Sequence, residues 1–288
     1  MAVASRPIDG RPAGGPGESA GGPRLLGPGL RVLQRHLWVY RRTWRGSIFS
    51  SFLNPVLFMI AMGFGVGSLI GPGSGGAAGA VIPAGLTYLA FIAPGLMAGA
   101  AMQTATFESS FPISARILWR RNYEAMLATP LRAWDVLVGE FGWIGFRLLT
   151  TTSAFLIVMT LFGVPRGPTA LLAIPAAMLT GFAFSPFLIF VASRITGDPG
   201  SVFSTIFRFV IMPFYLFSGI FFPIERLPQA LQLLAWATPL YNGVALTRDL
   251  TLALAEPLTS MAHVGVLLLY AGIGLALARR GLTERLVK

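Results

Sequence analysis

Six apolar runs of bilayer-crossing length divide this sequence, with short polar or basic joints between them. An α-helix rises about 1.5 Å per residue, so roughly 20 apolar residues cross the ~30 Å hydrocarbon layer. Inside that layer every backbone N–H and C=O must find a partner within the chain, so such runs become helices. The spans are expected at about Ile48–Ile70, Val81–Phe107, Val136–Phe162, Thr169–Ala192, Val202–Phe222 and Met261–Ala278. The expected fold is an all-α polytopic membrane protein with six transmembrane helices.

Composition agrees. Apolar residues make up 54% of the chain and charged residues 11%, against about 25% charge in a soluble domain. The mean hydropathy is +0.69. The formal net charge of +11 does not point to nucleic acid, because the arginines cluster in the joints between apolar runs. With no cysteine, disulfides, thiolate catalysis and cysteine-held metals are excluded. His36 and His263 are far apart in sequence with no ligand cluster beside either, and no catalytic constellation can be assembled. The one lysine, Lys288, is the last residue, so no Gly-rich loop here can present the lysine that a P-loop ATPase uses. Whether the chain is part of an enzyme is left open, and any ATP hydrolysis would fall to another chain.

Charge asymmetry sets the expected topology. Arg6, Arg11, Arg24, Arg31, Arg35, Arg41, Arg42, Arg45, Arg116, Arg120, Arg121, Arg132, Arg194, Arg279, Arg280, Arg285 and Lys288 fall on one side of a six-pass arrangement, and Arg166, Arg226 and Arg248 on the other. The positive-inside rule then places both termini in the cytoplasm. Residues 1–30, rich in Gly and Pro, read as a disordered cytoplasmic tail, and residues 281–288 as a C-terminal tail. Residues 31–45 have helical periodicity, with Leu33, Leu37, Tyr40 and Trp44 on one face and arginines on the other. They read as an amphipathic helix in the inner membrane surface; a solvated helix of a vestibule is the other reading, and the immediate connection to the first span favours the interface. The membrane domain then covers 46–280. The Gly-rich stretch 71–79 reads as a turn.

Polar groups within this frame are few. Arg147 lies inside the third span with Glu140 seven residues before it, and a charge in hydrocarbon faces protein or water. Arg147 contacts a polar or anionic substrate, pairs with a carboxylate of another helix, or snorkels; all three readings are open. Arg208 in the fifth span is explained by snorkelling. Glu108 ends the second span and either lines a polar entrance or is solvated there. Pro55, Pro94, Pro186 and Pro213 should bend their helices, and Gly95, Gly99, Gly142 and Gly145 permit close helix approach. The segment 223–241 is too short to cross and reads as a re-entrant or interfacial helix pair, with an ordinary outer loop as the other reading. In the basic joint 108–135, Ile117, Leu118, Met126 and Leu127 accompany Arg116, Arg120, Arg121 and Glu124. A break at Thr129-Pro130-Leu131 follows. The pattern suits either a helix that docks on another protein or a solvated loop.

Together, several motifs resemble the permease subunits of the ABC-2 transporter family. They are Asn54-Pro55 followed by MGFGVG, YLAFIAPGLMAGAAMQTATFE at 88–108, AMLATPL at 125–131 leading to Asp135 and Gly139-Glu140, and FSGIFFPIERLP at 217–228 leading to Pro239-Leu240. The likeness covers about residues 31–280. It is greatest to the branch holding nodulation lipooligosaccharide and daunorubicin-type drug efflux permeases.

The resemblance implies a homodimer, or a pair with a closely related permease, in the bacterial inner membrane. Two copies of a separate ATP-binding subunit would carry ATP and Mg, with no cofactor bound by this chain. It implies that Arg116, Arg120, Arg121, Glu124, Met126, Leu127, Thr129, Pro130 and Leu131 form the coupling element. It further implies that Glu108, Arg147, Phe217, Phe221 and Phe222 border the substrate path, and that Phe58, Met59, Phe209 and Phe214 of the first and fifth spans contact the second subunit. The cargo would be an amphipathic drug, lipid or lipid-linked saccharide moved outward. The alternatives are an ion-coupled secondary transporter and a non-transporting membrane assembly subunit.

Overall fold

The computed structural model describes residues 27–67, 86–119, 123, 126 and 131–286. The expected tail, the Gly-rich turn at 71–79 and most of 120–130 lie outside these residues. Those described form helices and connecting turns, and six of the helices are long and apolar enough to cross a membrane.

The first crossing helix, α1 (Pro28–Ile60), is 33 residues long and continues through π-helical turns at Ala61–Val66. At about 1.5 Å per residue it measures roughly 50 Å, more than a bilayer's apolar thickness. This corrects the expectation of a separate amphipathic helix ending at 45. No break falls there: Val32, His36 and Tyr40 pack inward before it and Ser47 meets Arg147 of the third crossing helix after it, while Arg31, Arg35, Arg41, Arg42 and Arg45 stay exposed. Trp44, expected on that face, is also exposed.

Next, α2 (Tyr88–Ser109) starts where the Thr87 hydroxyl caps the Ala90 N–H at 3.2 Å, and a break at Ser110 separates it from α3 (Phe111–Leu118). The third crossing helix, α4 (Ala133–Leu161), has Asp135 in its first turn, where the carboxylate accepts from the Arg132 N–H at 2.9 Å. A 3₁₀ turn at Pro168–Leu172 leads into α5 (Ala173–Arg194). The fifth, α6 (Pro199–Leu216), carries a π-helical turn at Phe207–Ile211. Asp198 caps it with bonds of 3.1 and 2.9 Å from the Gly200 and Ser201 N–H groups. These bonds hold the Asp198 carboxyl below its usual range.

The fifth helix ends earlier than Phe222. Gly219 adopts φ +76°, a left-handed conformation open to glycine, and the chain turns away. Two short helices follow, α7 (Gln229–Ala237) and α8 (Pro239–Leu252). Thr238 caps α8 and Pro239 opens it, the position where a missing N–H costs nothing. The pair extends past the expected 241. The last helix, α9 (Pro257–Leu286), absorbs residues expected in the C-terminal tail. Its final turns are held by Glu284, which accepts from Arg194 at 2.6 Å and Arg280 at 2.8 Å.

At the centre, α5 packs against α2, α4, α8 and α9. Between helices in lipid the association comes from close van der Waals packing, and small residues make it possible here. A Cβ on Gly139 would sit 2.4 Å from Val32 Cβ, and one on Gly243 2.0 Å from Thr180 Oγ1. Outside this core the surface stays apolar: Leu161 is 79% and Leu258 82% exposed. Such side chains suit a lipid boundary.

Candidate functional site

Among the described residues, Arg116, Arg194, Arg279, Arg280 and Arg285 gather where the start of α4 meets the ends of α3, α5 and α9, called here the basic end. Just inside it, Glu140 on α4 is 1% exposed and accepts from three elements. Arg116 of α3 donates to its Oε2 at 2.5 Å, Tyr123 donates to Oε1 at 2.8 Å, and His36 Nε2 lies 3.2 Å from Oε1. A buried carboxylate is tolerated only when paired and hydrogen-bonded; this one has both. Tyr123 is 1% exposed. Burial first, then the neighbouring Glu140 charge, pushes its hydroxyl well above the usual range, so it serves as a donor.

A second polar pair lies along the same face of α4. Arg147 donates through Nε to Glu108 at 3.0 Å and also bonds Ser47 of α1. Trp143 connects the two clusters: its ring stacks on His36 at 5.4 Å, and its Nε1 donates to the other Glu108 oxygen at 3.0 Å. Glu140, Trp143 and Arg147 share one helix face because they are spaced three and four apart.

The Glu108–Arg147 pair forms the wall of a cavity of about 690 Å³ between α2, α4 and α6. Gln103, Thr104, Ser204 and Arg208 add polar groups, and Phe107, Phe207, Ile211, Met212 and Tyr215 supply an apolar lining. Ser204 to Tyr215 spans about 16 Å along the α6 axis. Beyond, Tyr215 seats against Gly99, where a Cβ would come within 2.5 Å of the ring, and meets Phe221 edge-on at 5.6 Å. A second, apolar cavity of about 430 Å³ lies across α6, between α5, α7 and α9, and shares Ile211 with the first.

The residues expected on sequence grounds are only partly brought together. Glu108 and Arg147 line the cavity and form the cross-helix pair that was one of the open readings. Phe217, Phe221 and Phe222 sit at the break after α6 and do not line it. Arg116, expected on a docking surface, is turned inward onto Glu140, and Met126 packs partly buried against the core. Leu131 is half-buried before α4. Arg120, Arg121, Glu124, Leu127, Thr129 and Pro130 lie outside the described residues. Phe209 is 69% exposed and Phe58 partly buried. Met59, expected to face a second subunit, is instead 0% exposed inside the protomer. Phe214 meets Phe184 edge-on beside the apolar cavity.

Sequence reasoning missed His36, Tyr123 and Trp143. A signal existed: His36 shares a helical stripe with Val32 and Tyr40, and Tyr123 is an aromatic residue inside a basic joint. Arg248 was also misread as a loop cation. It packs 3.9 Å from the Phe91 ring and donates to the Phe91 and Gly219 carbonyls at 3.0 and 2.8 Å. Burial lowers its guanidinium to about 10, so it remains a cation at neutral pH while tying α8 to α2 and to the end of α6.

The sequence that builds this bundle matches a known class of membrane proteins. The ABC-2 type transporter family model aligns with residues 30–252, and the chain belongs to that family. Among its relatives is Nodulation protein J of Sinorhizobium fredii, 30% identical over 220 residues that cover 76% of this chain and 79% of that protein. Nodulation protein J of Rhizobium leguminosarum bv. viciae is 29% identical over 261 residues, 90% of this chain and 95% of the relative. This chain is therefore a membrane transporter component.

Proposed function

We propose that this chain is the membrane-spanning permease of an ATP-driven exporter that moves an amphipathic drug, lipid or lipid-linked saccharide outward across a bacterial inner membrane. Two permease copies pair, and each carries a separate ATP-binding subunit where ATP and Mg reside. The basic end faces the cytoplasm under the positive-inside rule, and α7 and α8 form a re-entrant pair at the outer face. One observation carries the reading. The cavity wall at Glu108–Arg147 is joined through Trp143 and the His36 ring stacked on it to Glu140, and Glu140 is held by Arg116 and Tyr123 from the segment that would meet the ATP-binding subunit. A push on that segment is delivered to α4 and thence to the cavity.

The second copy is assigned to the faces of α1 and α6. Of the most apolar stretch in each, only 12% and 17% is buried within one protomer. The matching stretch of α9 is equally bare at 17%, so exposure alone does not select the face. The cavity does, because it opens beside α6 and a neighbouring copy there would close it.

Vesicles containing this chain and an ATP-binding subunit from the same genome provide the test. Movement of an amphipathic dye should be abolished by vanadate and should survive collapse of the proton gradient; the opposite pattern would establish ion coupling. A companion prediction concerns the basic joint. Arg120→Glu or Arg121→Glu should weaken capture of the ATP-binding subunit by roughly tenfold through like-charge repulsion or a lost ion pair. Pairing of permeases should be unchanged. Intact capture with lost pairing would refute the assignment.

A further inference from the structure

Arg208 makes no hydrogen bond, ion pair or ring contact among the described residues. It stands nine residues beyond Pro199, about 14 Å along α6, inside a helix of bilayer-crossing length and on its exposed side in one protomer. Across the cavity the other cation, Arg147, is balanced by Glu108 at 3.0 Å. Glu108 in turn has both oxygens engaged, the second by Trp143 at 3.0 Å. The cavity therefore carries one uncompensated positive charge, with hydroxyl and amide groups from Thr104, Ser204 and Gln103 around it. An unbalanced cation within such a helix is costly, and an anion relieves the cost most directly.

We propose that this cavity is a binding site for amphiphiles bearing an anionic group (phosphate, sulfate or carboxylate). The anion meets Arg208 and the chain lies along Phe107, Phe207, Ile211 and Met212. A guanidinium suits this task because it forks to two oxygens of such a group. The 690 Å³ volume falls in the range of small-molecule sites. As a substrate site the proposal rests on the exporter reading; as a binding site it does not.

The test uses the full chain in phosphatidylcholine nanodiscs, with radiolabelled dodecyl phosphate as probe and no ATP-binding subunit. Dodecyl phosphate should bind at least about tenfold more tightly than dodecyltrimethylammonium, as one charge-assisted hydrogen bond predicts. Arg208→Gln should remove that preference while dodecanol binding stays, and Arg208→Lys should keep most of it. Equal affinity for the two charged probes on the native chain would overturn the proposal, as would an Arg208→Gln chain that retains the preference. Repeating the measurement in phosphatidylglycerol distinguishes the source. Loss of probe there means that lipid headgroups fill the site; retention means a site for free amphiphiles, and either supports the anion assignment. Because no transport is read, a failed vanadate experiment would leave this result standing.

Discussion

Replacing Glu140 with alanine is expected to lower the thermal unfolding midpoint of the purified chain by roughly 10 °C, corresponding to about 3–5 kcal/mol. The size follows from what the side chain does. It is 1% exposed and accepts from Arg116, Tyr123 and His36. Truncation leaves the Arg116 cation without its counter-charge and a buried tyrosine hydroxyl without its acceptor, and removing one partner of a buried pair costs far more than the pair contributes. Glu140→Gln, which keeps the shape and an acceptor oxygen, should fall between. Arg116→Leu added to Glu140→Ala should recover at least half the loss, because the stranded charge is gone. Heating curves followed by size-exclusion chromatography decide it; a Glu140→Ala midpoint within about 2 °C of native would sink the idea. Under the proposed function, Glu140→Gln should also leave ATP hydrolysis by the assembled complex running while dye movement stops, since the push no longer reaches α4.

The helices were readable because lipid imposes one rule on each segment separately: enough apolar residues in a row and an intact backbone ladder. Their partners were not, because pairing is set by contacts far apart in sequence. Arg147 in an apolar run announces that it needs a partner, but nothing local says that Glu108, 39 residues away, supplies it. His36 and Glu140 are 104 apart, so the histidine looked isolated. Helix ends failed for a different reason. The fifth run continues apolar through Phe222, and only the positive φ at Gly219 shows that the chain has already turned. Amphipathicity splits the first helix at residue 45, yet the helix runs unbroken to Ile60 and meets α4 on both sides of the exposed stretch 41–46, through His36 and Tyr40 before it and Ser47 after it. The cavity was half visible, in Glu108 and Arg147. Arg208 reads from sequence only as a snorkelling cation, because a single sequence cannot show that the space beside it is hollow.

Close approach of α8 to α5 gives the second large effect. A Cβ on Gly243 would lie 2.0 Å from Thr180 Oγ1, 2.5 Å from its Cγ2 and 2.8 Å from its Cβ. Thr180 cannot easily move aside. It is 0% exposed, its hydroxyl donates to the Ala176 carbonyl at 3.0 Å, and a β-branched side chain on a helix has few rotamers. Gly243→Val must therefore push the two helices apart, at a cost of about 3 kcal/mol or more, against which the gain in helix propensity of under about 1 kcal/mol is small. The displacement would carry Thr247 and Arg248 with it, straining their bonds to the Pro94, Phe91 and Gly219 carbonyls. Loss should therefore appear both as a midpoint lower by several degrees and as faster proteolysis in the 217–228 segment. The milder Gly243→Ala permits a rescue test. Thr180→Ala leaves the Cβ at 2.8 Å and should rescue only in part, whereas Thr180→Gly removes the obstruction and should restore most of the midpoint. If Gly243→Ala alone melts like the native chain, the two helices have more freedom than this packing allows, and the tie that Arg248 makes between α8, α2 and α6 is not held in place by α5.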